Sequence, residues 1–475
     1  MTIGLVSLGC AKNAVDLQVM AGHLLKAGHT LAPDPDCADV ILVNTCAFIE
    51  SAREEAVAEI ARACELKRAG RCKAVVAAGC FVQRYRTEVL KAFPDLDAVL
   101  GVDALDHIAE VVGEATRVSL PRASRSSRGS GALAASGTPR GSGALAASGT
   151  PRGSGALAAS KSTAVPPGMP KKVFDPPLPA LRLTGAAFAY LKVAEGCAHR
   201  CAYCAIPAIR GKFRSRPLKS ILAEARALVK TGVKELNIIA QDPMLYGVDF
   251  RDGTNLVTLL RALDRIKGDF WVRVLYSYPS EITDAFLDWM NTSPHAVKYI
   301  DVPLQHTDPK ILQAMARGSA VKATLSAAER LRAAVPGVTL RTTVMTGFPG
   351  ETPATFKRML ADVKRMSFDH LGVFAFSPEE GTLAAALPQR PSLAVAERRA
   401  GEVMALQKRI WSAKARKFVG QTFRALVIAR GIARLASQAP DVDGVVHLRS
   451  AAEVGAFVDV TIEKVRGFDF EANEN

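Results

Sequence analysis

The sequence predicts an α/β protein in three parts: an N-terminal parallel α/β domain, a central partial (β/α)6 barrel and a small C-terminal β-barrel. Three observations predict it. Short apolar runs alternate with amphipathic helical stretches, first over residues 1–116 and again over 181–416. A low-complexity segment, 117–180, stands between these two groups. Residues 417–475 lose the helical rhythm and carry short alternating runs broken by turn signals such as DVDG at 441–444. At 475 residues and 49% hydrophobic, the chain has apolar material for more than one core. Single cores rarely grow past about 250–300 residues.

In the first part, the runs TIGLVSLG, ADVILVNT and KAVVAAG alternate with helical patterns at 15–27 and 51–69, as in a parallel sheet. In the second part, GSGALAASGTPR occurs at 129–140 and again at 141–152, and GSGALAAS follows at 153–160. So short a period, without aromatics, cannot bury a core and reads as a flexible linker. Six candidate strands follow, at 188–194, 235–240, 271–277, 297–304, 338–347 and 370–376. Helical stretches separate them, and a long helix at 393–416 leads into the tail.

The net charge of +15 is unevenly spread. Residues 1–114 carry 11 basic and 16 acidic residues, while 115–174 carry nine basic and no acidic ones. The tail, 417–475, holds seven basic against eight acidic. A basic chain points to nucleic acid, but here much of the excess sits in the linker. No apolar run is long enough to span a membrane. The start MTIGLVSLGC lacks the marks of a signal peptide, so a cytoplasmic protein is expected. Nine cysteines in such a chain point to metal ligation or catalysis rather than a disulfide framework.

Three of them, Cys197, Cys201 and Cys204, form a CxxxCxxC triplet directly after the first barrel strand. Barrels place their active sites at the carboxyl ends of their strands. Three thiolates on a four-iron cubane leave one iron open to a cofactor, as a catalytic zinc site leaves one position open. Radical S-adenosylmethionine (SAM) enzymes use such an iron to bind and cleave SAM. The competing reading is a zinc site, for which His199 is available as a fourth ligand. Cys10, Cys46 and Cys80 each end a predicted strand, in SLGC, VNTC and AAGC. Ligands of open parallel sheets collect at that edge. A second three-thiolate cluster and buried structural cysteines are both open readings. Cys37, Cys64 and Cys72 lack the pattern and are expected to be structural.

The chain resembles the methylthiotransferase family of radical SAM enzymes. The resemblance rests on SLGCAKNAVD (7–16), VNTCAFIESA (43–52), AAGC (77–80), the cluster segment 190–217, PLQH (303–306), TGFPGET (346–352) and a tail similar to a TRAM domain. It implies two [4Fe-4S] clusters and SAM as cofactors. Cys197, Cys201 and Cys204 would hold the SAM-cleaving cluster, and Cys10, Cys46 and Cys80 an auxiliary cluster that carries or donates sulfur. Gln241 and Asp242, ending one strand, would contact SAM, as would Gly347, Phe348, Gly350 and Glu351 after another. A plain tight turn is the other reading of those glycines.

One branch of the family modifies an adenosine beside the tRNA anticodon. The other modifies the β-carbon of an aspartate in a small-subunit ribosomal protein, the twelfth. SLGCAKN and the cluster segment resemble the second branch. The slightly acidic tail also suits a basic protein partner better than an RNA backbone, with RNA contact secondary. Arg200, Arg210, Lys212, Arg214 and Arg216 cluster in the barrel loop, either as a solvated basic face or as an anchor for anionic SAM groups, and an aspartate substrate would also suit them. An electron donor, unidentified, is also required. A non-catalytic zinc and RNA-binding protein is the remote alternative. The repeat 129–160, and PMLYG after Asp242, depart from the family pattern.

Overall fold

The computed structural model describes residues 1–118, 162–164, 169–176, 182–183 and 185–475. The repeat 129–160 lies outside them. The N-terminal sheet contains β1 (Thr2–Ser7), β2 (Thr30–Leu31), β3 (Val40–Thr45), β4 (Ala74–Gly79), β5 (Ala98–Leu100) and β6 (Ser162–Ala164), in the order β2-β1-β3-β4-β5-β6. Every pairing is parallel. Helices α1 (Ala11–Lys26), α2 (Glu50–Arg68), α3 (Cys80–Ala92) and α4 (Ile108–Val118) accompany it.

Strands β3 and β4 are buried at every position, which is why they read as unbroken apolar runs rather than alternating ones. Ile41, Val43 and Val75 pack with Ile60 and Cys64 of α2 on one face. On the other, Val40, Leu42 and Val76 pack with Leu17 and Met20 of α1 and Ile108 of α4. Cys64 and Cys72 are buried, as structural cysteines would be, whereas Cys37 is exposed. Strands β2, β5 and β6 were not foreseen. Residues 162–164 belong to the segment read as linker, yet β6 pairs with β5 and extends the sheet. A three-residue strand with no apolar run of its own carries no periodicity to detect.

The central part contains six parallel strands: β7 (Phe188–Lys192), then, beyond a short pair formed by β8 (Ala194–Glu195) and β9 (Arg214–Ser215), β10 (Glu235–Ile239), β11 (Trp271–Val274), β12 (Tyr299–Asp301), β13 (Thr339–Thr346) and β14 (His370–Ala375). They form two half-sheets, β11-β10-β7 and β12-β13-β14. The halves meet through a parallel bridge from Val272 to Ala296 and the hydrogen bond from Ser277 N to Asp301 O, 2.7 Å. A partial barrel is the result. Helices α5 (Ile206–Arg210), α6 (Leu218–Lys230), α7 (Leu256–Leu263), α8 (Asp284–Thr292), α9 (Pro309–Ala314), α10 (Val321–Ala334), α11 (Pro353–Met366) and α12 (Leu393–Ala415) connect and cover the strands.

The tail is a closed barrel, β15 (Thr422–Ala429), β16 (Ile432–Leu435), β17 (Val446–Leu448), β18 (Phe457–Arg466) and β19 (Asp469–Glu474), in the order β15-β16-β17-β19-β18. It is docked firmly. The segment between β16 and β17 reaches strands of both half-sheets. Tyr190 donates to Asp441 at 2.6 Å, Tyr299 donates to Asp443 at 2.7 Å, and His370 Nε2 lies 2.8 Å from the Ser437 carbonyl. Buried Glu235 accepts from Arg273 at 2.7 Å and also from Arg434 of β16.

Candidate functional site

Strands β1, β3 and β4 are neighbours, and register places Thr45 beside Gly79. Cys46 and Cys80 follow these two residues directly, and Cys10 follows β1 by three. Cysteines far apart in sequence thus share one sheet edge. Local geometry tightens the approach. Gly9 has φ +90°, and a Cβ there would lie 2.7 Å from Cys46 Cβ and 3.0 Å from its Sγ. Gly79 has φ +96°, and its Cβ would meet the Thr45 carbonyl oxygen at 2.7 Å. Both glycines let the cysteine-bearing turns close on each other. Cys10 is the N-cap of α1, and Cys80 is the first residue of α3. Helix N-termini favour thiolates. Burial opposes that, pushing the Cys80 thiol up to about 12 while Arg210 pulls it down, and it raises the Cys46 thiol too.

The second set lies on the loop after β7. The β8–β9 pair closes its base, and Cys197 N donates to the Gly211 carbonyl at 3.3 Å. Ala202 N donates to the Met315 carbonyl at 2.9 Å, fixing the loop to the barrel. His199 Nε2 pairs with Asp242 at 2.6 Å, and its ring stacks on Tyr278 with centroids 3.8 Å apart. Burial pushes Cys197 up to about 11 and Cys204 up to about 12. Arg317 lies against this set, with Nη1 3.9 Å from Cys201 Sγ and its guanidinium over the Tyr278 ring.

Between the two sets runs a buried polar network that sequence reasoning missed. Lys192 donates to Asp16 at 2.6 Å and to Glu195 at 2.8 Å. Arg210 donates to Asp16 at 2.6 Å, to Asn13 Oδ1 at 2.5 Å and to Cys80 Sγ at 3.1 Å. All six residues are buried. Burial opposes ionisation of Glu195, yet Lys192 and Arg210 hold its carboxyl well below the usual range. The expected basic loop patch is corrected here. Arg210 and Arg216 are buried, and Arg216 is tied to Asp175 at 2.9 Å and Glu224 at 2.7 Å. Arg214 donates to backbone carbonyls of Lys172 and Arg210. Arg210 and Arg216 hold the loop together, Arg214 is half-buried, and Arg200 and Lys212 are exposed.

Each set offers three cysteine thiols, the donors that iron–sulfur clusters take. Thiols with raised pKa values are released by metal coordination, which deprotonates them outright. A guanidinium beside each set compensates the resulting charge.

The expected SAM residues divide. Gln241 donates to Glu195 at 2.8 Å, while its buried Oε1 has no partner among the described residues. Asp242 holds His199 and also accepts from Met244 N at 3.0 Å. Gly347, at φ +75°, packs on α12, where a Cβ would lie 2.3 Å from Ala396 Cβ. Phe348 is fully buried against Phe376, with centroids 5.3 Å apart. Gly350 has φ +86°. Glu351 accepts from Gly347 N at 3.0 Å and pairs with Arg399. The backbone at Gly347 has the turn conformation, while Glu351 Oε2, like Gln241 Oε1, is buried with no hydrogen-bond partner among the described residues and lies 3.3 Å from His306 Nε2. Two non-glycine residues, Tyr276 (φ 70°) and Gln305 (φ 69°), adopt left-handed backbone just past β11 and β12. Strain of this kind collects at functional sites. Lys12, two residues after Cys10, sits 3.1 Å from the Tyr276 ring centroid.

Residues 2–101 match the uncharacterized protein family UPF0004, 191–363 the radical SAM superfamily and 419–473 the TRAM domain. The ribosomal protein uS12 methylthiotransferase RimO of Opitutus terrae is 37% identical over 487 residues, covering 99% of this chain and 96% of that protein. That of Pelobacter propionicus is 37% identical over 477 residues, covering 98% and 96%. Among solved structures, the radical SAM methyltransferase TsrM of Kitasatospora setae shares the fold, with a TM-score of 0.51 at 15% identity over 81% of this chain and 73% of that one. With near-complete coverage at this identity, the chain belongs to the uS12 methylthiotransferase family of radical SAM enzymes.

Proposed function

We propose that this enzyme inserts a methylthio group at the β-carbon of an aspartate in the small-subunit ribosomal protein uS12, with SAM as radical source and methyl donor. The observation that carries the reading is the meeting of two three-cysteine sets across one buried network, with Arg210 of the barrel touching Cys80 of the sheet. Cys197, Cys201 and Cys204 would hold one [4Fe-4S] cluster, and Cys10, Cys46 and Cys80 the other. When bound, the first supplies the electron that cleaves SAM to a hydrogen-abstracting radical, and the second supplies sulfur.

The chain's own residues do the rest. The His199–Asp242 pair and the stack on Tyr278 hold the cysteine loop in one geometry. The unpartnered Gln241 Oε1 offers SAM a buried acceptor at the end of β10. The loop of Gly347, Phe348, Gly350 and Glu351, after β13, would contact SAM as well. Tyr276 and Gln305, in left-handed backbone just past β11 and β12, mark two further strand ends where strain of the kind found at functional sites is held. The electron donor is a separate, unidentified partner. The TRAM domain makes RNA contact a secondary possibility, in keeping with a ribosomal target. No helix among the described residues is long and apolar enough to cross a membrane.

The test is deletion of the gene followed by mass spectrometry of both uS12 and tRNA. Loss of the methylthio group from uS12 alone is expected. Loss from tRNA with uS12 unchanged would overturn the proposal. In the purified anaerobic enzyme, Cys197→Ala should abolish SAM cleavage, whereas Cys46→Ala should retain it but form no methylthiolated product.

A further inference from the structure

Arg210 closes α5, and Gly211, at φ +77°, turns the chain sharply after it against the Pro170 carbonyl. This delivers a barrel side chain into the edge of the N-terminal sheet. The guanidinium is 2% exposed. Its fork is divided. Nη1 faces the carboxylates of Asp16, at 2.6 Å, and Glu195, at 3.3 Å. Nη2 faces Asn13 Oδ1, at 2.5 Å, and Cys80 Sγ, at 3.1 Å. Asp16 and Glu195 are themselves shared with Lys192, so two carboxylates meet two cations. The Nη2 side therefore faces no carboxylate. Its charge is left to the sulfur and one amide oxygen.

We propose that Arg210 is a positioning residue for the auxiliary cluster: its N–H donates to the Cys80 sulfur, fixes that corner and raises the cluster's reduction potential. The inference rests on the reading that Cys80 ligates that cluster. Two physical facts carry it. A guanidinium keeps its charge under all conditions a protein survives, so the hydrogen bond to a thiolate is charge-assisted. Hydrogen bonds to cluster sulfurs tune potential, and a buried cation stabilises the reduced, more negative state. The SAM-side cysteines lack an equal. Arg317 is 3.9 Å from Cys201 Sγ and shares its Nη1 with Tyr203 OH at 3.4 Å. The arrangement therefore holds the auxiliary cluster easier to reduce than this donor's absence would leave it. Because Arg210 directly follows the SAM-cluster loop, it also joins the two sites mechanically.

The experiment uses the full chain with Cys197, Cys201 and Cys204 replaced by Ala, so that only the auxiliary cluster reports. Its midpoint potential is measured by a redox titration followed by electron paramagnetic resonance. R210K keeps the charge that Asp16 and Glu195 need but loses the planar fork. It guards against simple misfolding. R210Q removes the charge as well. Both should retain four irons and shift the potential to more negative values, R210Q further. An unchanged potential in R210K with four irons bound would overturn the inference. A Cys80→Ala chain that still bound four irons at this site would instead overturn the ligand assignment on which it rests.

Discussion

Asp16 is the sharpest place to test the junction between the two cysteine sets. It is 1% exposed and accepts from both Lys192 and Arg210 at 2.6 Å. Asp16→Asn keeps the shape but removes the charge, leaving two buried cations to share Glu195. It also points an amide NH2 at one of two groups that can only donate. Breaking a buried ion pair by removing one partner costs about 3–5 kcal/mol. At about 1.4 kcal/mol per tenfold, that shifts the docking of α1 against the barrel by roughly two to three and a half orders of magnitude. Hydrogen exchange in α1 and α5 should rise accordingly, and methylthiolated product should fall more than SAM cleavage does. Pairing Asp16→Asn with Lys192→Met removes the surplus cation, so much of the protection should return. Unchanged exchange in the single variant would refute the argument, because it would mean that solvent or another group already compensates these charges.

Three further outcomes follow from the geometry. Gly79→Ala places a Cβ 2.7 Å from the Thr45 carbonyl and forces strained backbone worth about 1–3 kcal/mol; iron counting should show loss of the auxiliary cluster with the SAM cluster retained. Glu235→Gln leaves Arg273 and Arg434 without their carboxylate, and limited proteolysis should then release the C-terminal barrel more readily than in the parent chain. The cluster-free chain should lose stability as pH rises. Burial pushes the thiols of Cys80, Cys197 and Cys204 up to about 11 to 12 in the folded chain, above the ordinary thiol value of 9.0. Their raised values favour the folded state fully below pH 9, and that contribution is lost as pH climbs through the folded values. Thermal melts from pH 8 upward should fall, and a flat profile would contradict the burial of these thiols.

Much of the site was legible from residues alone. Cys197, Cys201 and Cys204 declare themselves by spacing, and Cys10, Cys46 and Cys80 by ending apolar runs. Repetition of strand and helix exposed both α/β parts, because a buried parallel strand leaves an unbroken apolar run. What escaped was anything set by partners distant in sequence. Arg210 and Arg216 read as a solvent-facing basic loop, since charge in a sequence carries no record of burial. Their carboxylates, Asp16 of α1 and Glu224 of α6, lie on other elements. Asn13, Lys192 and Glu195 lie within quoted segments, but nothing local in those segments says that they meet.

The sequence by itself therefore determined the chemistry that the chain can hold: two sets of three thiols, each at a strand end, on two parallel frameworks. Local spacing and periodicity suffice for that, because they depend on neighbours within a few residues. The tertiary structure decided how the two sets meet. Only tertiary packing brings Arg210 to Cys80 and seats the C-terminal barrel on Glu235. Those relations depend on which buried charge finds which partner, and a buried charge accepts only a compensated position.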